Sequence, residues 1–132
     1  MSKYCFKKDS FYNYTVRSTT INNTDMYLVN DVIHQYNKEH NTNKSFKDWL
    51  RRIDTYELLN TIRKEKGLLL EPTDNFVEDF NKHGDIPEVF IKIKKNEYLV
   101  NGALLHDILI WLDPKIAINV CKFIKNLINY SR

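Results

Sequence analysis

The side chains that could do chemistry divide into a basic set and an acidic set. Lys47 and Arg51 stand four residues apart, the spacing that puts two side chains on one helix face, with Lys44 before them and Arg52 after. Lys92 and Lys94 alternate with Ile91 and Ile93, as on the solvent side of a strand, and Lys95 follows at a turn. Ammonium groups in such a row suit phosphate, and arginine can in addition offer guanine a bidentate fork. Arg52 is expected to be less free than Arg51, because Asp48 lies one turn before it. The acids Glu71, Asp74, Glu78, Asp79 and Asp85 sit among Pro72, Gly84 and Pro87 and read as a solvated acidic loop rather than catalytic pairs.

Other chemistry lacks its residues. His34, His40, His83 and His106 are scattered, without HExxH or Cys–His spacing. His106, in an apolar stretch, reads as a hydrogen-bonded boundary histidine. There is no Walker loop, no GxGxxG and no nucleophile elbow, and three glycines leave little to cradle a phosphate. Cys5 and Cys121 make no disulfide framework, which fits a reducing compartment, and Cys121 reads as a small hydrophobe. The expectation is a protein without catalysis, cofactor or metal. No apolar run approaches the roughly 20 residues that cross a bilayer, and the N-terminus lacks an apolar signal segment. The net charge of +3 is modest. Its distribution says more: residues 44–66 and 90–132 carry the excess of lysine and arginine, and residues 67–89 the excess of acid.

The elements that must position the basic set can be read in order. Tyr12–Ser18 suits a strand, Asn22-Asn23-Thr24-Asp25 a turn, and Met26–Val29 the returning strand of a hairpin. Asn30 or Asp31 can cap a helix to about His40, with Val32, Ile33 and Tyr36 inward. Ser45 and Asp48 make a box-like start to a second helix, whose stripe is Phe46, Trp49, Leu50 and Ile53. Asp54-Thr55 can cap a third, Tyr56–Lys66, with Leu58, Leu59 and Ile62 inward and Gly67 as its stop. Leu68–Pro87 reads as a loop holding at most a helical turn near Phe76–Phe80. Phe90–Val100 reads as a second hairpin turning at Lys95-Asn96-Glu97. Finally, Val100–Tyr130 holds two helical patterns that meet at an angle at Asp113-Pro114, where proline forbids continuous helix and aspartate can cap the next one.

These readings give one α+β domain over residues 1–132. It would be a small winged-helix-like domain with two β-hairpins, a helix-turn-helix and a C-terminal angled helix pair. The helices Asp31–His40 and Ser45–Ile53 would form the helix-turn-helix, and the lysine-bearing hairpin its wing. Lys44, Lys47, Arg51, Arg52, Lys92, Lys94 and Lys95 would then meet double-stranded DNA. A solvated basic face on a helical domain has the same spacing.

Two segments resemble one family. Phe46-Lys-Asp-Trp49-Leu50-Arg51, followed by Thr55-Tyr-Glu-Leu58-Leu59, is similar to the F-x-x-W-L-R core of KilA-N domains. Trp111-Leu112-Asp113-Pro114-Lys115-Ile116-Ala117-Ile118-Asn119-Val120 is similar to that family's W-[IL]-[SD]-P-K-[FY]-A-x-x-V segment. Ile116 stands where the family has an aromatic, and Leu104-Leu105-His106-Asp107 lacks its common His-Pro pair. KilA-N domains occur in phages and large DNA viruses, poxviruses included, and are related to fungal APSES domains. The resemblance covers about residues 12–130, the core of the domain, and implies a winged-helix-like fold, DNA binding and, for a poxviral protein, the host cytoplasm. It also implies an alternative, a protein-interaction or substrate-recognition module of a viral ubiquitin ligase whose RING domain is absent from this chain. Trp49 and Trp111 would be core residues rather than stacking platforms for bases.

Overall fold

The computed structural model describes residues 4–67 and 85–130. Five strands form one antiparallel sheet: β1 (Lys7–Phe11), β2 (Tyr14–Ile21), β3 (Thr24–Leu28), β4 (Phe90–Lys94) and β5 (Glu97–Asn101), in the order β1-β2-β3-β5-β4. The helices among the described residues are α1 (Val29–His40), α2 (Phe46–Leu50), α3 (Ile53–Glu65), α4 (Gly102–Leu112) and α5 (Pro114–Tyr130). The fold is therefore α+β, and the two hairpins expected from the sequence share one sheet through the β3–β5 pairing.

The N-terminal strand reading needs correction. Tyr12, expected inside a strand, lies in the turn between β1 and β2 with φ 55°, and the chain pairs as Phe11↔Tyr14 around it. β1, Lys-Lys-Asp-Ser-Phe, shows no apolar alternation because it is an edge strand with little to bury. Asn22 and Asn23 both take positive φ, as a two-residue primed hairpin turn requires. β3 ends at Leu28, and Val29 opens α1 rather than closing the strand.

α1 starts without a side-chain cap, because Leu28 stands at the cap position; Asn30 and Asp31, expected there, lie inside the first turn. Along β2, β3 pairs only from Ser18 to Ile21. Beyond that point side chains of α1 take over the ladder. Asp31 Oδ2 accepts the Arg17 amide at 2.9 Å, Gln35 Oε1 accepts the Thr15 amide at 3.2 Å, and Gln35 Nε2 donates to the Thr15 carbonyl. The Arg17 guanidinium closes on Asp31 with two bonds of 3.0 and 2.8 Å. These contacts pin α1 across the sheet in place of a sixth strand.

At α2 the expected capping box is present: Asp48 N–H donates to Ser45 Oγ, and Ser45 N–H donates to Asp48 Oδ2. The helix stops at Leu50, because Arg52 is extended and restarts the chain as α3. The apolar stripe consequently ends there, and Ile53, placed on it by periodicity, is 67% exposed. α3 begins three residues before the expected start, and Asp54 lies in its first turn instead of capping it. Its inward face is Thr55, Leu59 and Arg63, with Ile62 partly buried and Leu58 turned outward.

The main core lies between the sheet and the helices. Trp49 is fully buried, stacked 5.4 Å from Phe46, which in turn lies 4.5 Å from Tyr98. Leu105, Ile108, Leu109 and Leu112 of α4 are fully buried, while Trp111 is only partly so. Met26, Leu28 and Leu99 make a smaller cluster, with Ile91 and Ile93 packed on it. The α4–α5 joint follows the expected chemistry. Asp113 is extended, its Oδ1 accepts the Lys115 amide at 3.1 Å, and its Oδ2 accepts the buried Tyr14 hydroxyl at 2.8 Å. Cys121, expected to be apolar filling, is exposed. Of the expected loop Leu68–Pro87, residues 68–84, with the helical turn and the acids Glu71, Asp74, Glu78 and Asp79, lie outside the described residues, whereas Asp85 accepts the Lys92 amide at 2.8 Å.

Candidate nucleic-acid interface

One stripe of α1 organises the surface that holds the basic residues. Asn30, His34 and Asn37 follow one another at i, i+4 and i+7, along the border of the buried face made by Val29, Val32, Ile33 and Tyr36. Asn30 grips the second hairpin: its Oδ1 accepts the Tyr98 amide at 2.9 Å, and its Nδ2 donates to the Asn96 carbonyl. Asn37 grips the turn that leads to α2. Its Oδ1 accepts from the Lys44 amide at 3.0 Å and the Thr42 hydroxyl at 2.9 Å, and its Nδ2 donates to the Lys44 carbonyl at 2.8 Å. The start of α2 and the hairpin tip are thereby held as two banks of one groove of about 300 Å³. Its charged lining groups, among the described residues, are Lys44 and Lys47; no carboxylate lines it.

The seven expected contact residues fare differently. Lys47 is exposed on the groove's rim, with no ion pair among the described residues. Lys95 is exposed at the hairpin tip, beside Asn96 of the groove wall. Arg51, 62% exposed, lies only 3.8 Å from Asp48, a weak and breakable pair. Arg52 was expected to pair with Asp48 but pairs with Asp54 at 2.9 Å, because the chain turns between α2 and α3 and carries it away. Lys92 and Lys94 are exposed on β4, and Lys94 reaches Glu97 at 3.8 Å. Lys44 is withdrawn from the set. Its ammonium lies 5.2 Å from the Tyr36 ring centre and 5.3 Å from that of Trp111, and donates to the Leu112 carbonyl at 3.4 Å. It serves as a cation–π brace between α1 and the α4 end, not as a free cation.

Sequence reasoning missed Asn30, His34, Asn37 and Asn96. The i, i+4, i+7 polar spacing on α1 was a usable signal; their partners, far along the chain, were not visible. His106 is the boundary residue expected, its Nδ1 2.7 Å from the Tyr12 hydroxyl. No group of histidine, cysteine and acidic residues that could hold a metal occurs among the described residues. No helix among them is long and apolar enough to cross a membrane. Comparisons with family models, curated proteins and solved structures return no match for this chain.

Proposed function

We propose that the chain is a double-stranded DNA-binding module in which α1 and α2 act as a helix-turn-helix and the β4–β5 hairpin as its wing. The observation that carries this reading is the groove: Lys47 on one bank, the Lys95-Asn96 tip on the other, and no carboxylate between them among the described residues. Phosphate is the ligand such a lining favours. The resemblance to KilA-N domains supports the same reading. α2 spans five residues, about 7.5 Å of helix, so it offers base edges little beyond Lys47 and Arg51. Sequence preference should therefore be limited and rest on Arg51. Lys92, Lys94 and Lys95 meet phosphates.

A titration with duplex DNA at several salt concentrations tests this. Lys47, Arg51, Lys92, Lys94 and Lys95 as contacts predict a log–log slope of roughly −4 to −5, at about −0.9 per phosphate. Arg51→Ala should weaken binding and flatten any preference, whereas Lys94→Ala should weaken all sequences alike and lower the slope by about one. Absence of binding at low salt would overturn the proposal.

That outcome would promote a protein-recognition module, for which a separate observation speaks. Leu58, Ile62, Val89, Ala103 and Leu104 border an apolar cleft of about 450 Å³ between α3 and α4, and Leu58 is exposed.

A further inference from the structure

The groove contains a polar side chain that the fold does not use. Asn30 and Asn37 spend their amides on the hairpin and on the α1–α2 turn, Ser45 caps α2, and Lys44 braces Tyr36 and Trp111. His34 stands one helical turn from each asparagine, is exposed, and has no hydrogen-bond partner among the described residues. The two asparagines hold the hairpin and the α1–α2 turn on either side of it, and its ring is left uncommitted in the groove lining.

We propose that His34 and Lys47 seat one backbone phosphate of the duplex in this groove, with His34 contributing as the imidazolium. The inference rests on the DNA-binding reading above and adds to it a site and a pH dependence. An imidazolium offers an N–H donor and a positive charge to a phosphate oxygen, and loses the charge between about pH 5 and 8. Charged groups on the surrounding elements favour an anion there. Lys38 follows His34 by one turn on α1, Lys44 and Lys47 line the groove, and Lys94 and Lys95 stand on the hairpin. Of the nearby carboxylates, Asp31 pairs with Arg17 at 2.8 Å, and Asp48 accepts the Ser45 amide and lies 3.8 Å from Arg51. Glu97 lies 3.8 Å from Lys94, and none of the three lines the groove. Glu39, five residues on, borders a separate cleft beside Lys115.

The test compares duplex affinity of the full chain at about pH 5.5 and about pH 8 for wild type, His34→Ala and His34→Lys. Position 34 is an exposed helix site, so both variants should fold. At the lower pH His34→Ala should bind roughly tenfold more weakly than wild type, the worth of a charge-assisted hydrogen bond. At the higher pH the two should converge, while His34→Lys should bind tightly at both. Taking the difference between wild type and His34→Ala removes the titration of the other histidines. Equal affinity of wild type and His34→Ala at the lower pH would overturn the seat and leave the DNA reading standing. Failure of wild type to bind duplex would overturn both. If inorganic phosphate alone then shifted the His34 ring resonances, the groove would belong to free phosphate, not to a diester.

Discussion

Asn22, Asn23, Asn41 and Asn96 all take positive φ, the backbone region glycine usually serves, in a chain with three glycines. Asparagine tolerates that region better than other side chains do, so it ends α1 and shapes two hairpin turns. Tyr12, also at positive φ, has no such tolerance; its hydroxyl is tied to His106 instead. The other tyrosine of consequence is Tyr14. Burial, then its hydrogen bond to Asp113, then that carboxylate's charge, push its phenol well above the ordinary value near 10. The folded state thus holds this proton more tightly than the unfolded chain does. Its stabilising contribution is complete below about pH 10 and is lost as pH rises beyond that value. Tyr27 and Tyr98, also raised by burial, act in the same direction. Tyr14→Phe should cost about 1–3 kcal/mol at neutral pH, since it leaves Asp113 short of a donor. It should also lose less stability than wild type between neutral and strongly alkaline pH. Urea unfolding across that range reads both effects.

Among the elements, α1 carries the most obligations. One stripe packs the core, one replaces a strand beside β2, and one clamps the groove. Asn30→Ala deletes both bonds to the hairpin and should cost about 1–3 kcal/mol in denaturant unfolding. The hairpin keeps its internal β4–β5 pairing and that of β5 with β3 in that variant, so the loss should be of position more than of structure. Duplex affinity should therefore fall along with stability. A variant as stable as wild type would show that the clamp does not hold the tip. The capping box of α2 was legible because its two partners lie three residues apart. The clamp was not, because Asn30 and Tyr98 are separated by 68 residues and their pairing depends on sheet order. The end of α2 was misread for a different reason. Ile53 fits the helical period of Phe46, Trp49 and Leu50, and period alone does not register one extended residue at Arg52.

At the scale of the molecule, the sheet order explains why two basic segments far apart in sequence meet. β3 pairs with β5, which brings the second hairpin beside α1, which in turn delivers α2. The alternating charge of the segments and the angled helix pair were legible because they depend on local composition and on Asp113-Pro114. The candidate contact residues were only half legible. Exposure of Lys47, Arg51 and the hairpin lysines follows from pattern, but the diversion of Lys44 onto two aromatic rings required α1, α2 and α4 to be assembled. The substitution of side chains for a strand along β2 has a consequence for observing this assembly. The amides of Thr15 and Arg17 are protected from solvent exchange by Gln35 and Asp31, not by a neighbouring strand. Their deuterium uptake therefore gauges the attachment of α1, while Thr19, opposite Met26, gauges the sheet itself. Gln35→Ala should speed uptake at Thr15 and leave Thr19 slow. Because the same helix carries His34, slower uptake at Thr15 and Arg17 with duplex present would register the groove tightening from the far side of α1, through amides that touch no ligand.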